Sequence, residues 1–277
     1  MEQYIRALQT DRKFLLYNIL VGIILLIAFL GPYVIPFDPF EANMKEPLLE
    51  PSLHHWLGTD KLGRDTFSRI IYGAQYSLSG ALILVAIVFV VGSLLGIIAG
   101  FYGGKIDAVI MRISDIMISF PGMILAIAVA GIMGGSLINA VLAVAIVTWT
   151  KYARLVRSLV LQVKKKDFVD AAMVNGGKKW TIIWRHIAPN VISIAVVTAV
   201  ADIGSLLMEL AGLSFLGFGT QAPTPEWGVM LNEGRQFIQT SPWLMLFPGL
   251  AIFITVVMFN LWGDALRDVL DPKYDNH

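Results

Sequence analysis

Two acidic residues inside one apolar run are the first candidates for chemistry in this sequence. Asp202 and Glu209 lie seven residues apart within the run at 190–217, so on a helix they share one face. Ionisable groups within a membrane-spanning helix are costly and are functional candidates by default. The pair suits carboxylates that attract a cationic or metal-bearing solute, or a structural pair that bonds a neighbouring subunit or backbone groups. Asn139 and Asn260, in two other apolar runs, are weaker candidates and are more typical of interhelical hydrogen bonds.

Motifs for hydrolysis or nucleotide binding are absent from the sequence. His54-His55 is the only histidine pair, and it has no glutamate at metal-site spacing, so a surface or structural role is favoured. An intramembrane hydrolase would need a Gly-x-Ser-x-Gly elbow or a His-Glu-x-x-His helix, and neither occurs. A P-loop needs Gly, four residues, then Gly-Lys-Ser/Thr, and the Gly-Gly-Lys stretches at 103–106 and 176–179 do not fit. The sequence therefore predicts no catalytic residue, metal site or cofactor in this chain, and any ATP chemistry belongs to another subunit.

The composition predicts that helices in a membrane position these residues. Of 277 residues, 56% are hydrophobic and only 15% are charged, whereas a soluble globular chain is about a quarter charged. A helix needs about 20 apolar residues to cross a bilayer. Six runs qualify, at roughly 14–36, 77–101, 112–133, 136–158, 190–217 and 243–263. Because the runs are continuously apolar rather than alternating, an all-α protein with six transmembrane helices is predicted. A net charge of +1 gives no reason to expect a nucleic-acid partner, and the lack of cysteine excludes disulfides.

Lysine and arginine predict the orientation, because they accumulate on the cytoplasmic side of membrane proteins. They concentrate in the segments that share a side with the N-terminus, including Lys151, Arg154 and Arg157 near the end of the fourth run. Both termini are therefore predicted to be cytoplasmic. The predicted parts are 1–75 (a cytoplasmic tail, the first span and an outer amphipathic segment), 76–272 (a five-helix core with a cytoplasmic loop at 164–189) and 273–277 (a cytoplasmic tail).

The cytoplasmic loop is long, polar and helix-forming. Gly176-Gly177 divides it into two short helices, since glycine readily ends a helix in the left-handed conformation. In the second helix, Trp180, Ile183, Trp184 and Ile187 recur at helical spacing and form one apolar stripe. The stripe alone suits an interfacial helix with its tryptophans at the lipid headgroups. That interpretation leaves the Ala-Ala-Met surface of the first helix unexplained.

The loop carries a recognisable pattern: Asp170-Ala171-Ala172, then Gly176, then Ile187-Ala188-Pro189. It resembles the EAA loop of ABC-importer permease subunits, with Asp170 in place of the usual glutamate and Ala188 in place of the usual leucine. Over residues 52–272 the chain also resembles the second-permease type of the peptide/nickel subfamily. The stretches that carry this resemblance are LGTDKLGRD (57–65), GFYGGKIDAVIMRISDI (100–116), AGLSFLGFGTQAPTPEWGVML (211–231) and FPGLAIFITVVMFNLWGDALRDVLDP (247–272).

The resemblance implies one permease subunit of a type I ABC importer in a prokaryotic plasma membrane. The implied partners are a homologous second permease, two ABC ATPase subunits that bind ATP and magnesium, an extracytoplasmic substrate-binding protein and the lipid bilayer. In the family the EAA loop docks into the ATPase; the corresponding residues here are Asp170, Ala171, Ala172, Gly176, Ile187 and Pro189. Nickel, carried as a chelate, and di- or oligopeptides are both open as substrates. A secondary transporter is disfavoured, because its halves should show inverted hydropathy symmetry, which is not seen here.

The topology suggests where an outer partner would dock. The stretch 64–73 has the pattern of a short amphipathic helix lying on the membrane, with Arg64 and Arg69 in the headgroups. Together with the stretch around 223–228 it is expected to meet the substrate-binding protein. The residues expected on this surface are Asp60, Arg64, Asp65, Glu226 and Trp227.

Overall fold

The computed structural model describes residues 11–270, and the regular structure within them is helical apart from one isolated pairing of Thr59 with Asp65. The helices are α1 (Arg12–Leu30), α2 (Thr66–Tyr102), α3 (Gly104–Ser119), α4 (Gly122–Met133), α5 (Leu137–Val163), α6 (Asp167–Val174), α7 (Lys179–Ile182), α8 (Ala188–Phe215), α9 (Trp227–Gly234) and α10 (Trp243–Leu270). The all-α prediction is confirmed. The predicted tail at 273–277 and the first ten residues lie outside the described part.

Four helical stretches are long and apolar enough to cross a membrane: Arg12–Tyr33, Thr66–Tyr102, Lys179–Phe215 and Trp243–Val269. Helices α3 and α4 would make a fifth crossing only if the bent pair counts as one span. Helix α5, where the fourth span was predicted, is 27 residues long but is not among the qualifying stretches. The structure therefore does not confirm six crossings, and the count remains a prediction.

The third predicted span, 112–133, is not one straight helix. It is broken between α3 and α4, whose axes differ by 94°. Pro121 has no backbone N–H to continue the helix, and Phe120 before it is extended, with φ −99° and ψ 145°. The sequence shows a continuous apolar run here, but Pro121 divides it into two helices at nearly a right angle.

Close packing of α2 against α5 forms the centre of the helix bundle. Glycine at position 96 allows it, because a Cβ there would lie 2.6 Å from the Ala153 carbonyl oxygen of α5. Gly92 and Gly100, one turn to either side, meet the same helix in the same way. Small residues thus allow close helix contact here, as is usual between helices in lipid. Helix α8 contacts α2, α5 and α10, while α1 packs on α10 and α2 at the edge.

The start of α2 differs from the predicted amphipathic helix. Residues 66–73 are the first turns of a 37-residue helix that continues to Tyr102. Arg64 and Arg69 are 2% and 1% exposed, so they lie inside the protein rather than among lipid headgroups. Both guanidinium groups meet carboxylates inside the protein, and the amphipathic pattern of 64–73 alone does not distinguish this arrangement from a membrane surface.

The cytoplasmic loop also differs from the expected two separate helices. Helix α6 stands alone, but α7 continues through a π-helical turn, Ile183–Ile187, directly into α8. The predicted apolar stripe is divided: Ile183 and Ile187 are buried, whereas Trp180 and Trp184 are exposed and contact each other edge to face. The loop is thus attached to the long helix α8 without a break.

Candidate functional site

A charged cluster joins the middle of α5 to the middle of α8. The Lys151 ammonium group donates to both carboxylate oxygens of Asp202, at 2.8 and 2.7 Å. The Tyr152 hydroxyl donates to the same carboxylate at 2.9 Å. Asp202 is mostly covered, with 15% of its side chain exposed, whereas the Lys151 side chain is 56% exposed. Lys151 was predicted to lie on the cytoplasmic side. In the structure it lies near the middle of α5, beside the Asp202 carboxylate near the middle of α8.

Polar residues continue from Asp202 along one face of α8. Thr198, Asp202, Ser205 and Glu209 follow each other at intervals of four, three and four residues, which keeps them on one side of the helix. None of the four is buried. The Thr198 and Ser205 hydroxyls donate to carbonyl groups of their own helix. We call these four residues, with Lys151, the polar face.

Glu209 lies two helical turns beyond Asp202, about 10 Å along the axis. It is exposed, and it has no hydrogen-bond or ion-pair partner among residues 11–270. Acidic side chains within membrane-spanning helices are costly when they face hydrocarbon. The polar face is therefore suited to contact with water, a solute or another protein rather than with hydrocarbon.

The two asparagines predicted near the path have different environments. The Asn139 side chain donates to the carbonyl groups of Met133 and Gly134, at 2.8 and 3.0 Å, and so fastens the turn between α4 and α5. Asn260 on α10 lies against Gly204 of α8, where an added Cβ would be 2.7 Å from its Oδ1. Asn139 is thus engaged locally, while Asn260 is exposed at a close helix crossing next to the polar face.

The cytoplasmic loop has a buried side and an exposed side. Val169 and Ile187 are fully buried in an apolar cluster with Val160 of α5. Asp170 and Ala171 are exposed, and Ala172 is half-buried. Asp170 lies in the first turn of α6, where the helix dipole favours negative charge. The buried residues fix the loop to the bundle, so the exposed ones present a defined surface.

Two positions give the loop its shape. Gly176 ends α6 in the left-handed region with φ +75°, and no atom lies within 4 Å of where its Cβ would be. Pro189 occupies the first turn of α8, where its missing N–H is tolerated, and it is exposed. Gly176 is thus selected by backbone conformation and not by lack of space.

The outer segment before α2 is held by a network of four charged side chains. Arg64 donates to Asp60 at 2.6 Å and lies 3.3 Å from Glu233 of α9. Arg69 lies 2.9 Å from Glu233 and 3.5 Å from Asp60. Two cations thus share two carboxylates, which is the condition under which buried charges are tolerated.

Two further carboxylates cap helices beside this network. Asp65 accepts from the Ser68 backbone N–H at 2.7 Å, capping α2, and contacts the His55 ring at 2.9 Å. Glu226 caps α9 by accepting from the Gly228 and Val229 N–H groups. Burial raises the pKa of Glu226, and these hydrogen bonds act in the opposite direction. Both acids therefore serve the fold of the outer segment.

The residues expected on an outer docking surface do not form one. Their side chains are enclosed within the protein, since every one of them is at most 9% exposed; they are Asp60, Arg64, Asp65, Glu226 and Trp227. The Trp227 indole N–H donates to the Ile70 carbonyl at 2.9 Å, tying α9 to α2. These residues shape the outer segment from within, and any partner would meet other side chains.

Sequence reasoning missed three residues of these sites. Lys151 was not recognised as a site residue because it lies in a basic stretch. Tyr152 was not recognised because its ring suits an apolar core. Glu233 was missed because its partners, Arg64 and Arg69, are more than 160 residues away in the chain. Only the Asp202 carboxylate, inside an apolar run, gave a signal that a cation could be near.

Comparison with known proteins identifies the family. Residues 92–276 match the family described as binding-protein-dependent transport system inner membrane component. The chain is 45% identical to the dipeptide transport system permease protein DppC of Alkalihalophilus pseudofirmus, over 97% of this chain and 88% of that protein. It is 43% identical to the nickel transport system permease protein NikC of Escherichia coli, over 92% of each. It is 45% identical to the glutathione transport system permease protein GsiD of Pectobacterium atrosepticum, over 95% of this chain and 89% of that protein.

The fold agrees with solved transporters. An inward-facing structure of the MetNI methionine ABC transporter aligns with a TM-score of 0.58 and 18% identity, over 73% of this chain and 97% of that one. At that identity the likeness concerns the fold alone. Together the findings show that this chain belongs to the inner-membrane permease family of binding-protein-dependent ABC importers. It is therefore a permease subunit in a family that works with ATPase and substrate-binding components.

Proposed function

We propose that this chain forms half of a translocation path for di- or oligopeptides or for a nickel chelate. The observation that carries the proposal is the polar face, where Lys151 and Asp202 are charged groups near the middle of long helices and Glu209 lies two turns further along α8. Charged side chains within a membrane generally face a bundle interior or a water-filled cavity. A homologous second permease would supply the opposite wall.

The substrate classes follow from the relatives, whose names assign dipeptide, nickel and glutathione transport to three different proteins. The polar face has carboxylates but no imidazole. Because imidazole is a preferred ligand of Ni²⁺, nickel would pass as a chelate and not as a bare ion. Peptides and chelates thus remain the two candidate cargoes.

The cytoplasmic loop is proposed to couple this path to two ABC ATPase subunits. Its exposed residues, Asp170 and Ala171, would contact the ATPase, while buried Ile187 connects the loop to α8. Four of the five residues of the polar face lie on the same helix, α8, so movement of the loop would reach Asp202 through one continuous element. On the outer side, a substrate-binding protein would dock on the segment that the buried charge network holds in shape. ATP and magnesium would be bound by the ATPase subunits and no cofactor by this chain.

Reconstitution tests this function directly. The chain would be placed in proteoliposomes with its second permease, two ATPase subunits and binding protein, and uptake of labelled dipeptide and of ⁶³Ni²⁺ supplied with citrate would be measured. We expect uptake of one of these probes to require ATP. Uptake driven by a proton or sodium gradient without ATP would instead indicate a secondary transporter, and substrate hydrolysis by the isolated chain would indicate an enzyme.

The Glu209→Gln variant tests the polar face. We expect uptake to fall about tenfold, as for loss of one charge-assisted hydrogen bond to the cationic part of the cargo. Assembly with the partner subunits should be unchanged, because Glu209 has no bonding partner among the described residues of its own chain. Glu50→Gln, the same substitution at an exposed outer residue, is the matched control. Normal uptake by Glu209→Gln would remove this residue from the path.

A further inference from the structure

The charges on the polar face are not equivalent. Asp202 is neutralised by Lys151, with two contacts below 3 Å, and receives a third hydrogen bond from Tyr152. Glu209 has no such close contact among the described residues, although it also feels the charge of Lys151. The acid that the sequence marks as a cation attractor at position 202 is thus already occupied, and the exposed cation beside it is the group left to meet a solute.

Lys151 is placed to bind as well as to neutralise. Its ammonium group has three donors, and Asp202 is its only hydrogen-bond acceptor within residues 11–270. Asp202 and Tyr152 lie on the covered side, with Tyr152 fully buried, whereas more than half of the Lys151 side chain is exposed. Because Asp202 bonds the ammonium group on its covered side, the exposed side of the group can bind an anionic group of a solute while the ion pair stays intact.

The face therefore has a positive group at Lys151, on α5 beside Asp202, and a negative group at Glu209, which lies about two helical turns from Asp202 along α8. A solute with both a carboxylate and a positive centre would match both groups. A peptide presents its C-terminal carboxylate and its ammonium group, and a metal chelate presents a ligand carboxylate and the metal ion. The shared chemistry is a carboxylate next to a cation.

We propose that Lys151 is a specificity-determining residue of the translocation path, which binds a carboxylate of the cargo while Glu209 faces its cationic part. The inference rests on the proposed path function and adds a residue and a cargo chemistry to it. It also gives the passing solute an orientation, with its carboxylate toward the centre of α5.

The test compares cargoes that differ only in the carboxylate, in the complete reconstituted complex. One pair is labelled alanyl-alanine and its C-terminal amide; the other is ⁶³Ni²⁺ with citrate and ⁶³Ni²⁺ with ethylenediamine. The measured quantity is the ratio of initial uptake rates within each pair. The selectivity of the binding protein is the same for every variant, so it cancels when variant and wild-type ratios are compared.

We expect Lys151→Gln to lower the ratio of carboxylate to carboxylate-free uptake about tenfold, the effect of one charge-assisted hydrogen bond. Lys151→Arg, which keeps the charge, should retain most of the ratio and also shows that substitution at 151 is compatible with folding. Arg154→Gln is the matched control one turn along α5, because Arg154 pairs with Asp115 of α3 and lies outside the polar face. Its ratio should equal that of the wild type.

A double variant separates binding from neutralisation. If Lys151 served only to neutralise Asp202, Lys151→Gln with Asp202→Asn would restore the wild-type ratio, and that result would overturn the proposal. An unchanged ratio in Lys151→Gln alone, for whichever pair the wild type transports, would overturn it too. If the wild type transports neither pair with ATP, the proposed path function itself fails for these cargoes and the inference fails with it.

Discussion

Replacing Glu233 by alanine is expected to lower the free energy of unfolding by about 3 kcal/mol, the effect of removing one partner from a buried ion pair. Glu233 is the carboxylate that Arg64 and Arg69 share from α9, and its side chain is 16% exposed. Without it, Asp60 alone faces two guanidinium groups that are almost fully buried. The midpoint of thermal unfolding of the detergent-solubilised protein, and the rate of proteolysis within residues 37–64, would measure the loss.

The same substitution at an exposed site provides the comparison. Glu41→Ala changes an outer residue that is exposed, so it should stay within about 0.5 kcal/mol of the wild type. Glu233→Gln should give an intermediate loss, because it keeps an acceptor but removes the charge. An unfolding midpoint for Glu233→Ala equal to that of Glu41→Ala would mean that the network does not stabilise the outer segment.

Replacing Gly176 by tryptophan is expected to abolish uptake while leaving ATP hydrolysis by the assembled complex largely intact. The open space around Gly176 means that a large side chain would project outward without a clash inside this chain. The left-handed backbone at φ +75° adds about 1–2 kcal/mol of strain for a non-glycine residue. If the loop contacts the ATPase as we propose, the main effect falls on that contact and not on the fold. ATP hydrolysis and uptake measured in the same proteoliposomes would reveal the separation.

Gly134→Trp is the matched control for this uncoupling. Gly134 also has a positive φ, +84°, and open space around its Cβ position, but it lies between α4 and α5, away from the loop. With ψ 163°, Gly134 lies in a region nearly exclusive to glycine, so its replacement is strained as well, but only Gly176→Trp should separate hydrolysis from uptake. Normal uptake by Gly176→Trp would refute the coupling role of the loop.

Much of the fold was predictable because apolar runs and their lengths directly reflect helices in lipid. The runs behind α1, α2, α8 and α10 agree with stretches that are long enough to cross a membrane. The run at 112–133 misled, since hydropathy does not register the single Pro121 that turns the chain by a right angle. Helix boundaries in polar segments were also not predictable. The loop pattern predicts two separate helices, but a π-helical turn joins the second helix to α8.

The sites were predictable only in part, because charge patterns do not reveal partners. Asp202 and Glu209 were found from their place in an apolar run, and the structure confirms that they share a helical face. Lys151 was predicted to lie on the cytoplasmic side because its neighbours in the chain are basic. Its environment is determined by Asp202, which is distant in the chain. For Arg64 and Arg69, an amphipathic pattern fits a membrane surface and a buried charge network equally well. Only the position of Glu233 decides between the two.

The length of α2 has a mechanical consequence. Its 37 residues extend about 55 Å, well beyond the hydrocarbon thickness of about 30 Å. The buried charge network grips its first turns, and α3 begins immediately after its other end. When a rigid helix of this length tilts about its centre, its two ends move in opposite directions. A force applied near the first turns of α2 would thus appear as lateral motion at the opposite end of the helix.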